Sequence, residues 1–168
     1  MSSAIEVAFS PEHSGKVVLR IETRKADGLS HGRVDFELDT GSRFTILSRT
    51  DLKSLGYTDE MLEKCPVAIN KFGHPIDAKA ATGEVFGLWY LANMSLKFND
   101  REIIGCRLYF SDNLKVASLF GSDLLRYFNY SIDSDYSIFS MIKRDIPPVT
   151  TRWEEIVTIY SVEASANF

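Results

Sequence analysis

The sequence predicts a mostly-β protein, a closed antiparallel barrel carrying two or three short helices. Three observations predict it. Short, β-branched and partly alternating apolar segments dominate the chain. Turn residues divide those segments into hairpins. The length of 168 residues suits one domain with a single core, and short hairpins in one domain favour a barrel or a sandwich.

The elements follow in order. Residues 4–9 (AIEVAF) and 16–23 (KVVLRIET) read as strands, with SPEHSG turning between them. After the loop ADGLSHG, Val34, Phe36 and Leu38 alternate with Asp35 and Glu37, the period of a half-buried strand. A further apolar run, Phe44 to Leu47, precedes Ser48, whose spacing from Asp51 predicts a capped helix over residues 51–55 ended by Gly56. Thr58 caps a second helical turn that stops before Pro66. PIDAKAA turns at Thr82-Gly83 into EVFGLWYLANMSLKF, and Asn99-Asp100 turns that strand into REIIGCRLYF. VASLF, residues 116–120, is another strand. It meets Gly121 and a short helix, SDLLRYF, with Ser122 as the expected cap. YSIDSDYSIFSMI reads as a last hairpin. Pro147-Pro148 marks a change in composition. The boundaries are therefore a domain over residues 1–145 and an extension over 146–168, whose sequence allows either a helix from Thr151 or a strand over 156–162.

Composition excludes several classes. Apolar residues make up 45% and charged residues 25%, as in ordinary globular proteins, and the formal charge of -4 argues against a nucleic-acid partner. No apolar run approaches the roughly 20 residues of a membrane span, and the N-terminus lacks the basic and apolar regions of a signal peptide. Cys65 and Cys106 are too few for a disulfide framework, so the expectation is reduced thiols in the cytoplasm. His13, His31 and His74 have no metal-ligand spacing, and Asp133 with Asp135 lacks the glycine and closing Glu of a calcium loop. No metal site is assigned.

One stretch does not fit a plain turn. Residues 37–47 read ELDTGSRFTIL, placing Asp39-Thr40-Gly41-Ser42 between two runs of buried-strand character. A carboxylate at the end of such a strand must be hydrogen-bonded, share a proton or face a wet cleft. Gly41 allows a sharp reversal through positive φ, and Thr40 and Ser42 add hydroxyls beside the acid. An Asp-capped turn accounts for the tripeptide alone, but not for its apolar flanks.

The apolar-x-apolar-Asp-Thr-Gly-Ser pattern followed by FTIL resembles the active-site loop of retropepsin-like aspartic proteases. SLFGSDLLRYF, residues 118–128, resembles that family's second motif, an apolar pair, then a glycine, here Gly121, then a short helix containing Asp123. KAATGEVFG, with Ala81, Thr82 and Gly83 at its tip, stands where the family carries its flap. The likeness spans about residues 17–140 and is nearest to stand-alone bacterial members.

The resemblance implies an aspartic endopeptidase in which two carboxylates hold a water and share one proton, with no cofactor and no covalent intermediate. Asp39 would be the catalytic residue, Thr40 would bond across to the opposite loop, and Gly41 would shape the turn. Ser42 would donate to the carboxylate, lower its pKa and give a more acidic optimum than an alanine variant. The chain holds a single Asp-Thr-Gly. The resemblance therefore implies a homodimer with an Asp39 from each copy at the two-fold axis, acting on an extended polypeptide. The alternative is a non-proteolytic dimerisation or peptide-binding module on the same fold.

Overall fold

The computed structural model describes residues 5–9, 16–25, 31–70, 72–79, 83–98, 101–111, 117–144 and 162–163. Period-two patterning produces the strands. In β2 (Val18–Arg24), Leu19, Ile21 and Thr23 are buried while Arg20 faces water. In β3 (His31–Leu38), Val34 and Phe36 turn inward. The two pair antiparallel, from Val18 opposite Glu37 to Arg24 opposite His31.

β6 (Trp89–Phe98) and β7 (Arg101–Phe110) form a long hairpin whose register shifts between Leu91 and Leu96, and β2 also pairs with β6. β8 (Leu119–Phe120) joins the other edge of β3, and β11 (Val162–Glu163) pairs antiparallel with β7. The order in this six-stranded sheet is β11-β7-β6-β2-β3-β8. A second sheet of three strands runs β1-β10-β9, from β1 (Ile5–Ala8), β10 (Ile138–Lys143) and β9 (Phe128–Asp133). β4 (Asp77–Lys79) and β5 (Val85–Gly87) make a separate hairpin.

The mostly-β expectation and the few short helices hold. The closed antiparallel barrel does not. Among the described residues no sheet closes on itself, and β3 and β8 pair in parallel, Glu37 opposite Leu119 and Leu38 opposite Phe120. The core needs no closure. Ile5, Val7, Phe139 and Met141 of the small sheet share one buried cluster with Leu19, Ile21, Phe36 and Leu96 of the large one, so two sheets cover each other's apolar faces.

The helices obey their caps. α1 (Arg49–Ser54) begins directly after Ser48, whose side chain accepts from the Asp51 N–H, so it starts two residues before the expected point. α2 (Asp59–Glu63) is capped by Thr58. α3 (Ser122–Leu125) is capped by Gly121 and not by Ser122, which is already helical. No helix among the described residues is long and apolar enough to cross a membrane.

Candidate active site

β3 ends at Leu38 and delivers Asp39. The Leu38 N–H donates to the Val17 carbonyl at 2.8 Å and the Asp39 N–H to the Phe120 carbonyl at 3.0 Å, so the approach to the acid is clamped on both sides. Asp39 is half-buried, and Thr40 and Gly41 are exposed. The Asp39 Oδ1 accepts from the Gly41 N–H at 3.0 Å, and the Ser42 N–H closes the turn on the Asp39 carbonyl at 3.2 Å. The carboxylate is thus oriented by its own loop and left partly exposed.

Two details of the loop differ from the sequence reading. Gly41 is not among the positive-φ residues. Glycine is favoured there by proximity, because a Cβ would sit 3.3 Å from the Asp39 Oδ1 and push on the carboxylate. The Ser42 hydroxyl donates to the Phe44 carbonyl at 2.8 Å. Its one hydrogen is committed to the backbone, so it does not donate to Asp39. Ser42 stiffens the loop.

A strand-like segment beneath the loop holds it in place. Ile46 and Leu119 exchange both backbone hydrogen bonds at 2.8 Å, while the Tyr109 N–H donates to the Thr45 carbonyl and the Leu47 N–H to the Tyr109 carbonyl. Gly121 then passes so close that a Cβ would lie 2.3 Å from the Phe44 carbonyl oxygen and 2.9 Å from that of Ser42. The Ser122 N–H donates to the Ser42 carbonyl at 2.8 Å. The two sequence motifs, far apart in the chain, therefore form one structure.

Thr45 and Asp123 join them. The Thr45 hydroxyl donates to the Asp123 Oδ1 at 2.6 Å, the Thr45 N–H donates to the Asp123 Oδ2 at 3.0 Å, and the Thr45 Oγ1 accepts from the Gly121 N–H at 3.1 Å. The Leu124 N–H gives Asp123 a third donor at 2.9 Å. Burial pushes the Asp123 carboxyl up to about 6, against the lowering effect of those donors. Asp123 supports the loop from inside and does not offer a second surface carboxylate. Thr45 was missed by sequence reasoning. The signal was a hydroxyl inside the apolar run FTIL, which requires a buried partner.

Of the expected flap residues, Gly83 lies between β4 and β5 with φ +90, in the left-handed region that glycine occupies without strain. Ala81 and Thr82 lie outside the described residues. A second apolar cluster, built on Ile46, Ala68, Leu88 and Tyr109, joins Ala78 and Phe86 of this hairpin to Phe44 of the loop.

The described residues include no group of three or more His, Cys, Asp or Glu arranged to hold a metal. Cys65 and Cys106 are free thiols, and burial pushes the pKa of each upward, which suits inert rather than nucleophilic cysteines.

This chain is similar in fold to a retropepsin-like aspartic protease from Rickettsia conorii. The likeness covers 82% of this chain and 98% of that one, with a TM-score of 0.54 and 18% identity. At that identity the retropepsin-like likeness is one of fold. No family model and no curated protein sequence matches the chain.

Proposed function

We propose that this protein is an aspartic endopeptidase that acts as a homodimer on extended polypeptides. The observation that supports the reading is a single half-buried carboxylate, Asp39, oriented at the protomer surface by an Asp-Thr-Gly loop on a fold of retropepsin-like type. One chain supplies one such acid. Two copies related by a two-fold axis supply a pair, and two carboxylates about 3 Å apart cannot both ionise. The ionised member takes a proton from a water held between them as that water attacks the peptide carbonyl. The protonated member donates to the carbonyl oxygen, and proton transfer to the leaving nitrogen completes hydrolysis. The polypeptide lies extended between the protomers, beneath the β4–β5 hairpins, where backbone pairing supplies affinity and side-chain pockets supply selectivity.

The test is cleavage of a proteome-derived peptide library by the purified chain and by Asp39→Asn. Cleavage that appears at acidic pH and is lost in the variant is expected. Cleavage that survives Asp39→Asn, or no cleavage at any pH by a protein shown to be dimeric, sinks the proposal.

A further inference from the structure

We propose that Arg43 selects acidic side chains in the polypeptide bound at this site. The inference rests on the reading of Asp39 as the reacting carboxylate, and it concerns a residue that reading does not use.

Arg43 stands at the outside of the loop between Asp39 and Thr45, and it is exposed. Its neighbours are fixed. The Ser42 hydroxyl donates to the Phe44 carbonyl, the Ser42 carbonyl accepts from Ser122, and the half-buried Phe44 ring meets Tyr109 edge-on with centroids 4.9 Å apart. The backbone under Arg43 is therefore held while its side chain is left outside. The guanidinium lies over the Phe44 ring, 5.7 Å from the centroid. An arginine seated on an aromatic face is partly ordered in advance and still offers its N–H fork, the geometry that grips a carboxylate through two hydrogen bonds.

Arg43, like the exposed Arg33, Lys53 and Lys143, stands outside the ion pairs of the described residues, and of these four it is the one that belongs to the Asp39 loop. Lys16, Arg20, Arg49 and Lys64 each have a carboxylate partner in the fold, at 3.3, 2.9, 3.4 and 3.6 Å. Among the described residues Arg43 has no such ion pair. The molecule as a whole bears a formal charge of -4, so its overall field repels acidic peptides. A preference for them has to be local, and Arg43 is a local source of it.

Spacing sets the substrate positions concerned. Arg43 follows Asp39 by four residues, at most roughly 14 Å of extended chain, and the Ser42 to Asp39 turn shortens that path. An extended substrate advances about 3.3 Å per residue. Side chains some two to four positions from the scissile bond come within reach of the guanidinium. In a two-fold dimer one Arg43 faces each side of that bond, so the acidic preference falls on both sides.

The test uses the full chain carrying Asp39→Asn and two labelled peptides that differ only in Glu against Gln at alternate positions, at a pH of about 6, where Glu is ionised. The Glu peptide is expected to bind about tenfold more tightly by fluorescence anisotropy. Adding Arg43→Ala brings the two affinities together, Arg43→Glu reverses their order, and Arg43→Lys keeps part of the preference. Circular dichroism checks that each variant is folded, which an exposed side chain permits. Equal binding of both peptides, binding of neither, or a preference that survives Arg43→Ala overturns the inference. Library cleavage by the unsubstituted chain is the separate control. A Glu preference that depends on Arg43, without any cleavage that depends on Asp39, keeps the inference and removes the protease reading. Cleavage that depends on Asp39 but shows no acidic preference does the reverse.

Discussion

Asp123 is a largely buried carboxyl whose nearest partners are hydroxyl and amide donors, the Thr45 hydroxyl, the Thr45 N–H and the Leu124 N–H. Burial raises its pKa to about 6, above its value in an unfolded chain, so the neutral form is the one the fold prefers. The sign follows from that direction. Stability from this group is fully present below the ordinary carboxylate range and is lost as pH rises from there through about 6. Asp123→Asn cannot ionise; its carbonyl keeps the Thr45 N–H and its amide turns to the Thr45 Oγ1, at the loss of the bond from the Leu124 N–H. Urea denaturation between about pH 4 and 7 is expected to show the parent losing on the order of 3 kcal/mol that the variant does not lose. Parallel curves for the two proteins would place the titrating group elsewhere. Asp123 was legible as part of a motif, but its burial and its bond to Thr45 were not, because their 78-residue separation leaves no local mark.

At the scale of elements, the arrangement that positions Asp39 is the approach of α3 to the loop. The helix enters through Gly121, whose missing side chain lets the Phe44 and Ser42 carbonyls come close and lets the Ser122 N–H reach the Ser42 carbonyl. Both obstacles to a Cβ are backbone, which cannot rotate away. Gly121→Ala is expected to cost about 3 kcal/mol or more in chemical denaturation and to displace the loop, with peptide cleavage falling by at least tenfold. A variant as stable as its parent would mean that the approach is looser than described. Helices α1 and α2 were readable because caps act within one turn. The cap of α3 was placed one residue late, because Gly121 has no side chain to announce it. The pairing of β8 with β3 was invisible for a related reason. A parallel partner arrives from far along the chain, and no turn joins the two.

At the scale of the whole molecule, one chain supplies half of the proposed dyad, so under that proposal activity requires two copies. An equal mixture of the parent chain and Asp39→Asn, given time to exchange subunits, is expected to retain about half the activity of the parent chains present, because mixed dimers carry one acid and one amide. Sedimentation at the assay concentration supplies the companion measurement. Full retention of activity in the mixture, or an active species that sediments as a monomer, would end the dimer reading.

The sequence by itself determined what short-range physics controls. Alternation placed Leu19, Ile21, Val34 and Phe36 in the core. Ser48 and Thr58 started their helices, and the Asp-Thr-Gly-Ser stretch set an acid at the tip of a buried strand. Only the tertiary structure decided the rest. It stacked two open sheets where a closed barrel was expected, and it turned the Ser42 hydroxyl to the Phe44 carbonyl rather than to the carboxylate. It also made Gly41 a matter of proximity rather than of positive φ. In each case a local pattern allows more than one arrangement. The choice falls to contacts between distant segments, whose backbone groups must all find partners once water is excluded.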